Sequence, residues 1–244
     1  GPICKEMKNI LRDAHMNKRL RRYTTLTFEP FCGLKDPTSE FVLNTFEAFP
    51  MERYSPKIII NVRDTAIWRY LVDIYGWGKE GLLFIYVLNI LSFQIQCPAE
   101  RSERLACIIS EAQGTGKSKM FLIISKIIGT ALCRFHSSMG TLINPFNWTN
   151  HSMKLHFVDD LTSSGRLETR KIFPLITTDM VVYTKKGETS ITFDEFSEIW
   201  LTSNDDSPLH TSRFDRRIVM YEASELWLQD RKKFGQLTSE LDDL

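Results

Sequence analysis

Residues 111–118 read Glu-Ala-Gln-Gly-Thr-Gly-Lys-Ser, directly after the apolar run LACIIS at 105–110 and at the start of the helix-forming stretch Lys117 to Ile128. A strand that enters a glycine loop and leaves it as a helix fixes the local grammar as α/β. The loop also fits the pattern that cradles phosphates. Gly114 and Gly116 permit a tight turn whose backbone N–H groups face an anion, with Gln113 and Thr115 beside them. Lys117 would reach the β- and γ-phosphates, and Ser118 would offer a hydroxyl to Mg²⁺, at a helix N-terminus that itself attracts negative charge. The pattern wants a glycine six residues before its lysine, and Glu111 stands there instead. The plainer alternative is a glycine-rich turn with Lys117 as a solvated first-turn residue.

Three further apolar runs share the character of the first: LHFV at 155–158, IWLT at 199–202 and IVMY at 218–221. Short runs rich in β-branched and aromatic residues predict strands of a mostly parallel sheet, buried on both faces and flanked by helices. Ligands of such sheets sit beyond the carboxyl ends of the strands, so the polar residues there carry the chemistry. After LHFV come Asp159 and Asp160. Asp159 suits a nucleotide-bound Mg²⁺, and Asp160 can orient or deprotonate a water. As an isolated feature the pair could equally cap a helix. After IWLT comes Ser203-Asn204, whose amide offers donor and acceptor together, although a turn asparagine is the simpler reading. Before IVMY stand Arg216 and Arg217. Such arginines are more often surface ion pairs; reaching a neighbour's nucleotide would require an oligomer.

Upstream, two helices are expected, one near Asp64 to Tyr75 with Ile67, Trp68, Leu71, Ile74 and Tyr75 on its apolar face. The second carries GLLFIYVLNILSFQI at 81–95, too short for a membrane span and so read as a buried helix. The first sixty residues read as irregular, with prolines at 30, 37, 50 and 56 and a basic stretch at 18–22. A net charge of +1 argues against a broad basic field, so contact with nucleic acid must rest on a local cluster. Five cysteines without a CxxC pair argue against a disulfide framework or a zinc site, and for an intracellular location. Gly1-Pro2 resembles a protease-cleavage scar, which suggests an excised fragment.

In order and spacing, EAQGTGKSKMF, LHFVDDL, IWLTSN and DRRIVMYE resemble the motifs of superfamily 3 helicases, the AAA+-type replication ATPases of small DNA viruses, phages and plasmids. The likeness covers Leu105 to Glu222. FVLNTFEAFP, the paired helices and QCPAERSERLACIIS look like the lead-in of phage-type primase-helicases. The resemblance implies a phosphate-loop (P-loop) NTPase fold preceded by a small helical subdomain. It divides the chain into an irregular N-terminal segment (1–62), the helical subdomain (63–100), an ATPase core (101–225) and a C-terminal tail (226–244).

It also implies ATP and Mg²⁺ as cofactors, self-association into a ring, commonly a hexamer, and single-stranded DNA as track. A fused primase, polymerase or nicking domain would lie outside this chain, in host cytoplasm or nucleus if the source is viral. Lys117 and Ser118 would bind phosphate and metal, Asp159 would hold the metal, and Asp160 would act as base, where relatives often carry the longer glutamate. Asn204 would be the sensor, and Arg217, or else Arg216, the finger given to the next subunit. Lys185 and Lys186, in Tyr183-Thr-Lys-Lys-Gly-Glu188, fall where the family places a DNA-gripping hairpin; a solvated turn is the alternative. RNA as track, and a nucleotide-controlled assembly switch without unwinding, remain open readings.

Overall fold

In the computed structural model, residues 25–30, 42–46, 48–50, 61–161, 166–212 and 215–243 are described. Gly1-Pro2 and the basic stretch at 18–22 lie outside them. Five strands form one all-parallel sheet: β3 (Leu105–Ile109), β4 (Cys133–His136), β5 (Leu155–Val158), β8 (Glu198–Ser203) and β9 (Ile218–Glu222), in the order β4-β5-β8-β3-β9. Two smaller pairings stand apart from it, parallel β1 (Thr25–Thr27) with β2 (Val42–Asn44) and antiparallel β6 (Met180–Tyr183) with β7 (Ile191–Asp194). The fold class is thus α/β with a parallel central sheet, as the apolar runs predict.

Burial follows strand order. The central strands β8 and β5 are buried at every position, whereas the edge strands β4 and β9 are partly exposed. Alternate residues feed two cores, because neighbouring side chains on a strand point to opposite faces. Ala106, Ile108, Phe157 and Trp200 pack on one face with α1 (Ala66–Gly76), α2 (Leu82–Gln96), α3 (Lys119–Ile128) and α6 (Arg231–Asp242). Leu105, Cys107, Val158 and Leu201 pack on the other with α4 (Met139–Leu142) and α5 (Arg166–Thr177).

Two expectations are corrected. The stretch at 81–95 is helical but not buried throughout. Because α2 packs on α1 along one face, Phe84, Val87 and Leu91 are covered while Leu82, Ile85 and Tyr86 stay exposed. The helix after the glycine loop begins at Lys119 rather than Lys117, since Lys117 and Ser118 still belong to the turn.

Residues 226–243 contain α6, which packs against α1. Glu240 of α6 accepts hydrogen bonds from the Ala66 and Ile67 N–H groups at 2.6 and 3.1 Å. A carboxylate there satisfies orphan donors at a helix start and complements its dipole. Trp227 donates from Nε1 to Asp73 of α1 at 2.7 Å, fastening the same two regions at a second point. Among the described residues no helix is long and apolar enough to cross a membrane.

Candidate functional site

The order of the sheet brings the carboxyl ends of β5, β8 and β3 side by side. β3 runs into the glycine loop, β5 into Asp159 and Asp160, and β8 into Asn204. A cleft of about 770 Å³ opens over these ends, and its walls include Gln113, Gly114, Thr115, Gly116, Lys117, Ser118, Asp159, Asp160 and Asn204.

Glycine is required at two loop positions. Gly114 and Gly116 have φ of +83° and +96°, a region that side chains with a Cβ avoid. A Cβ on Gly116 would also come within 2.6 Å of the Phe234 ring. The loop is gripped from outside as well: Tyr70 of α1 donates to the Gly116 carbonyl at 2.9 Å, and the Gln229 N–H to the Gly114 carbonyl at 3.1 Å.

Inside the cleft the polar side chains form one connected chain. The Lys117 ammonium donates to Ser110 Oγ and to Asn204 Oδ1, both at 2.8 Å. Asn204 uses its other end to donate to Asp160 Oδ1 at 2.5 Å, so its two partners fix the amide's orientation. Ser118 donates to Asp159 Oδ1 at 2.5 Å, and Thr202 donates to the same oxygen at 2.6 Å. Thr202 Oγ1 in turn accepts from the Asp160 N–H at 3.0 Å, holding Asp160 at a φ of +51° that aspartate tolerates better than most residues. Burial pushes the Lys117 ammonium below its ordinary pKa, and the charges of Asp160 and Asp159 partly offset this. A cation with few waters around it attracts an incoming anion more strongly than a solvated one does.

Ser118 Oγ and the Asp159 carboxylate are hard oxygen donors in contact, a pair suited to Mg²⁺, which keeps most of its waters and takes few protein ligands. The remaining sequence candidates lie elsewhere. Arg216 and Arg217 precede β9, at the opposite end of a strand about 16 Å long. Arg217 makes a bidentate pair with Asp215, at 2.9 and 2.7 Å, and its guanidinium lies 3.9 Å from the centre of the Phe173 ring. The structure therefore does not bring either arginine to the cleft of its own chain. Lys185 and Lys186 sit in the turn between β6 and β7, both exposed, with Lys185 paired to Glu188 at 2.5 Å.

Ser110, Thr202, Tyr70 and Phe234 are among the site residues that escaped the sequence reading. Ser110 and Thr202 end or interrupt apolar runs, where a hydroxyl is unremarkable until its partner is known. Tyr70 and Phe234 lie outside the motifs altogether.

Residues 108–217 match a family of unknown function (DUF5906). Among solved structures, the chain resembles an A-form apo structure of the NrS-1 C-terminal region, with a TM-score of 0.73 and 16% identity over 90% of this chain and 53% of that one. A second apo structure of the same region gives 0.72 and 17%, with the same coverage of both chains. A third gives 0.70 and 19%, covering 90% of this chain and 52% of that one. The chain thus spans about half the length of these neighbours and shares their fold. A comparison with curated proteins returns no match.

Proposed function

We propose that this chain is the ATP-hydrolysing motor of a replication helicase, an AAA+-type phosphate-loop ATPase of superfamily 3 that moves along single-stranded DNA. The observation that carries the reading is the hydrogen-bonded chain Lys117–Asn204–Asp160 beside Ser118–Asp159, all in one cleft at the carboxyl ends of three adjacent strands. A cleft that only bound phosphate would need the loop and the lysine. The acidic pair and the amide add what hydrolysis requires, a group that takes a proton from water and a group that senses the terminal phosphate.

In this reading the loop N–H groups and Lys117 bind the triphosphate, and Lys117 exchanges Asn204 for the γ-phosphate. Asn204, released, keeps its hold on Asp160 and orients the carboxylate toward the attacking water. Ser118 and Asp159 would hold Mg²⁺, which neutralises charge on the phosphate oxygens. Thr202 holds the Asp159 carboxylate and the Asp160 backbone through one hydroxyl. Arg217 or Arg216, far from the cleft of its own chain, serves the cleft of a neighbour in a ring. Lys185 and Lys186 contact the phosphates of the DNA. The likeness to the NrS-1 C-terminal region supports the α/β fold on which this reading is built.

The test is ATP hydrolysis with and without single-stranded DNA, alongside RNA, over a range of protein concentrations, with Lys117→Ala as control. Turnover that rises with DNA and with protein concentration, and is lost in the variant, supports a ring motor. Nucleotide binding without turnover at any concentration rejects the motor in favour of an assembly switch, and stimulation by RNA alone changes the track.

A further inference from the structure

The motifs account for the triphosphate but leave the base without a seat. The sheet order supplies the direction. Asp159, Asp160 and Asn204, which would face the terminal phosphate, lie at the ends of β5 and β8, and the glycine loop follows β3. A nucleotide with its γ-phosphate at β5 and β8 and its β-phosphate at the loop therefore continues toward β9. The chain that leaves β9 on that side folds over the loop and carries Phe234, in the first turn of α6, into the wall of the cleft.

We infer that the half-buried Phe234 ring is the stacking platform for the nucleotide base. The inference rests on the nucleotide reading of the cleft. Three features make the ring a platform rather than a loose side chain. It sits on Gly116, where nothing larger than hydrogen fits beneath it. It is braced from behind by Trp227, edge to face at 5.4 Å, and Trp227 by Tyr70 in the same manner at 5.4 Å. Its helix is fastened to α1 through Glu240, and the loop to the same helix through Tyr70. A rigid, pre-oriented aromatic face loses little freedom when a base stacks on it.

The cleft has a second aromatic wall, Phe121 and Phe135, on the β4 side. It lies beyond the acidic pair, past the end of the triphosphate that would approach it, and so is the wrong wall for the base.

Binding of Mg·ATP and of Mg·tripolyphosphate, which has the phosphates but no base, to the full chain separates these possibilities. Phe234→Ala is expected to weaken ATP about tenfold, the range found for removing one base–aromatic stack, and to leave tripolyphosphate within about twofold. Phe234→Leu, which keeps apolar packing on Gly116, should behave like the alanine variant, and Phe234→Trp like the parent. Phe135→Ala should change neither ligand. The inference is overturned if Phe234→Ala weakens both ligands equally, if it weakens neither, or if Phe135→Ala is the variant that selectively loses ATP. If the parent chain binds neither ligand, or if Lys117→Ala leaves both unaffected, the nucleotide reading itself falls, a result distinguishable from failure of the stacking platform alone.

Discussion

The two ends of the central strands carry similar residues in opposite settings. At the carboxyl ends a lysine, two aspartates and an asparagine border an open cleft. At the amino ends Lys154, Glu195 and Glu198 are buried, with Arg101 half-buried beside them. There Lys154 donates to the carbonyls of Phe196 and Glu100 at 2.7 and 3.3 Å. Glu198 accepts from the Ser102 N–H and hydroxyl, both at 2.6 Å, and Arg101 donates to the carbonyls of Ser197, Thr178 and Leu175. Burial lowers the Lys154 ammonium to about 8 and raises the Glu198 carboxyl. In the amino-end cluster the donors end on protein acceptors and ligands find no room. In the carboxyl-end cluster the groups bond to one another directly, but along the wall of an open cleft of about 770 Å³. What separates the two charge clusters is the neighbouring cavity, not residue type or degree of pKa shift.

The sharpest way to break this contrast is a crossed pair of substitutions. Lys154→Ala leaves the Phe196 and Glu100 carbonyls without their donor and takes a nearby positive charge from buried Glu198, and should cost about 2–4 kcal/mol of stability, read from denaturant midpoints. Lys117→Ala should cost under about 1 kcal/mol and instead lower ATP turnover by at least about 100-fold. Equal stability losses in the two variants would erase the distinction.

A second effect comes from a pair of buried imidazoles between the two ends. His136 Nε2 and His156 Nδ1 lie 3.1 Å apart, one donating and one accepting, and burial lowers both pKa values to about 3. Their unfolded value is near 6.5, so unfolded chains take up protons that the folded chain refuses. The stability they contribute is complete above pH 6.5 and falls away as the pH drops toward 3. Between pH 7 and pH 4.5 the loss should be about 2–3 kcal/mol for one such group, and His156→Gln should flatten the profile of melting temperature against pH.

Gly116→Ala comes next. Positive φ and the contact with Phe234 should together cost about 1–3 kcal/mol by urea denaturation. Smallest are Lys185→Ala and Lys186→Ala, which should leave stability unchanged. Each should reduce the salt slope of single-stranded DNA binding by about 0.7. A slope that does not move would reassign the β6–β7 turn to solvent.

Much of this arrangement is legible in the amino-acid sequence because the strands are short, apolar and end in polar residues. LACIIS, LHFV, IWLT and IVMY each mark a strand of the sheet, and the residues just past the first three converge on the cleft. The β6–β7 hairpin around Lys185 and Lys186 also falls where the family likeness put a hairpin. Strand order is not legible, since nothing local says that β8 inserts between β5 and β3. That order is what lets Asn204 touch both Lys117 and Asp160. Thr202 is invisible for the same reason: in a strand, threonine is an ordinary packing residue until an aspartate lies across from it. Tyr70 and Phe234 are the clearest cases. One is a helical aromatic and the other belongs to a weakly apolar helix read as a tail, and only tertiary packing brings both to Gly116.

The clamp on Gly116 has a consequence for the growing chain. The loop is finished by Gln229 and Phe234, made more than a hundred residues after Lys117, and α1 is capped by Glu240, later still. Domains are made from the N-terminus onward, and contacts this distant in sequence form last. A nascent chain stopped after Glu222 would hold the loop, the acidic pair, Asn204 and both arginines, yet lack one wall of the cleft. A chain not yet extended to Phe234 thus carries every motif of the cleft without the aromatic wall that closes it.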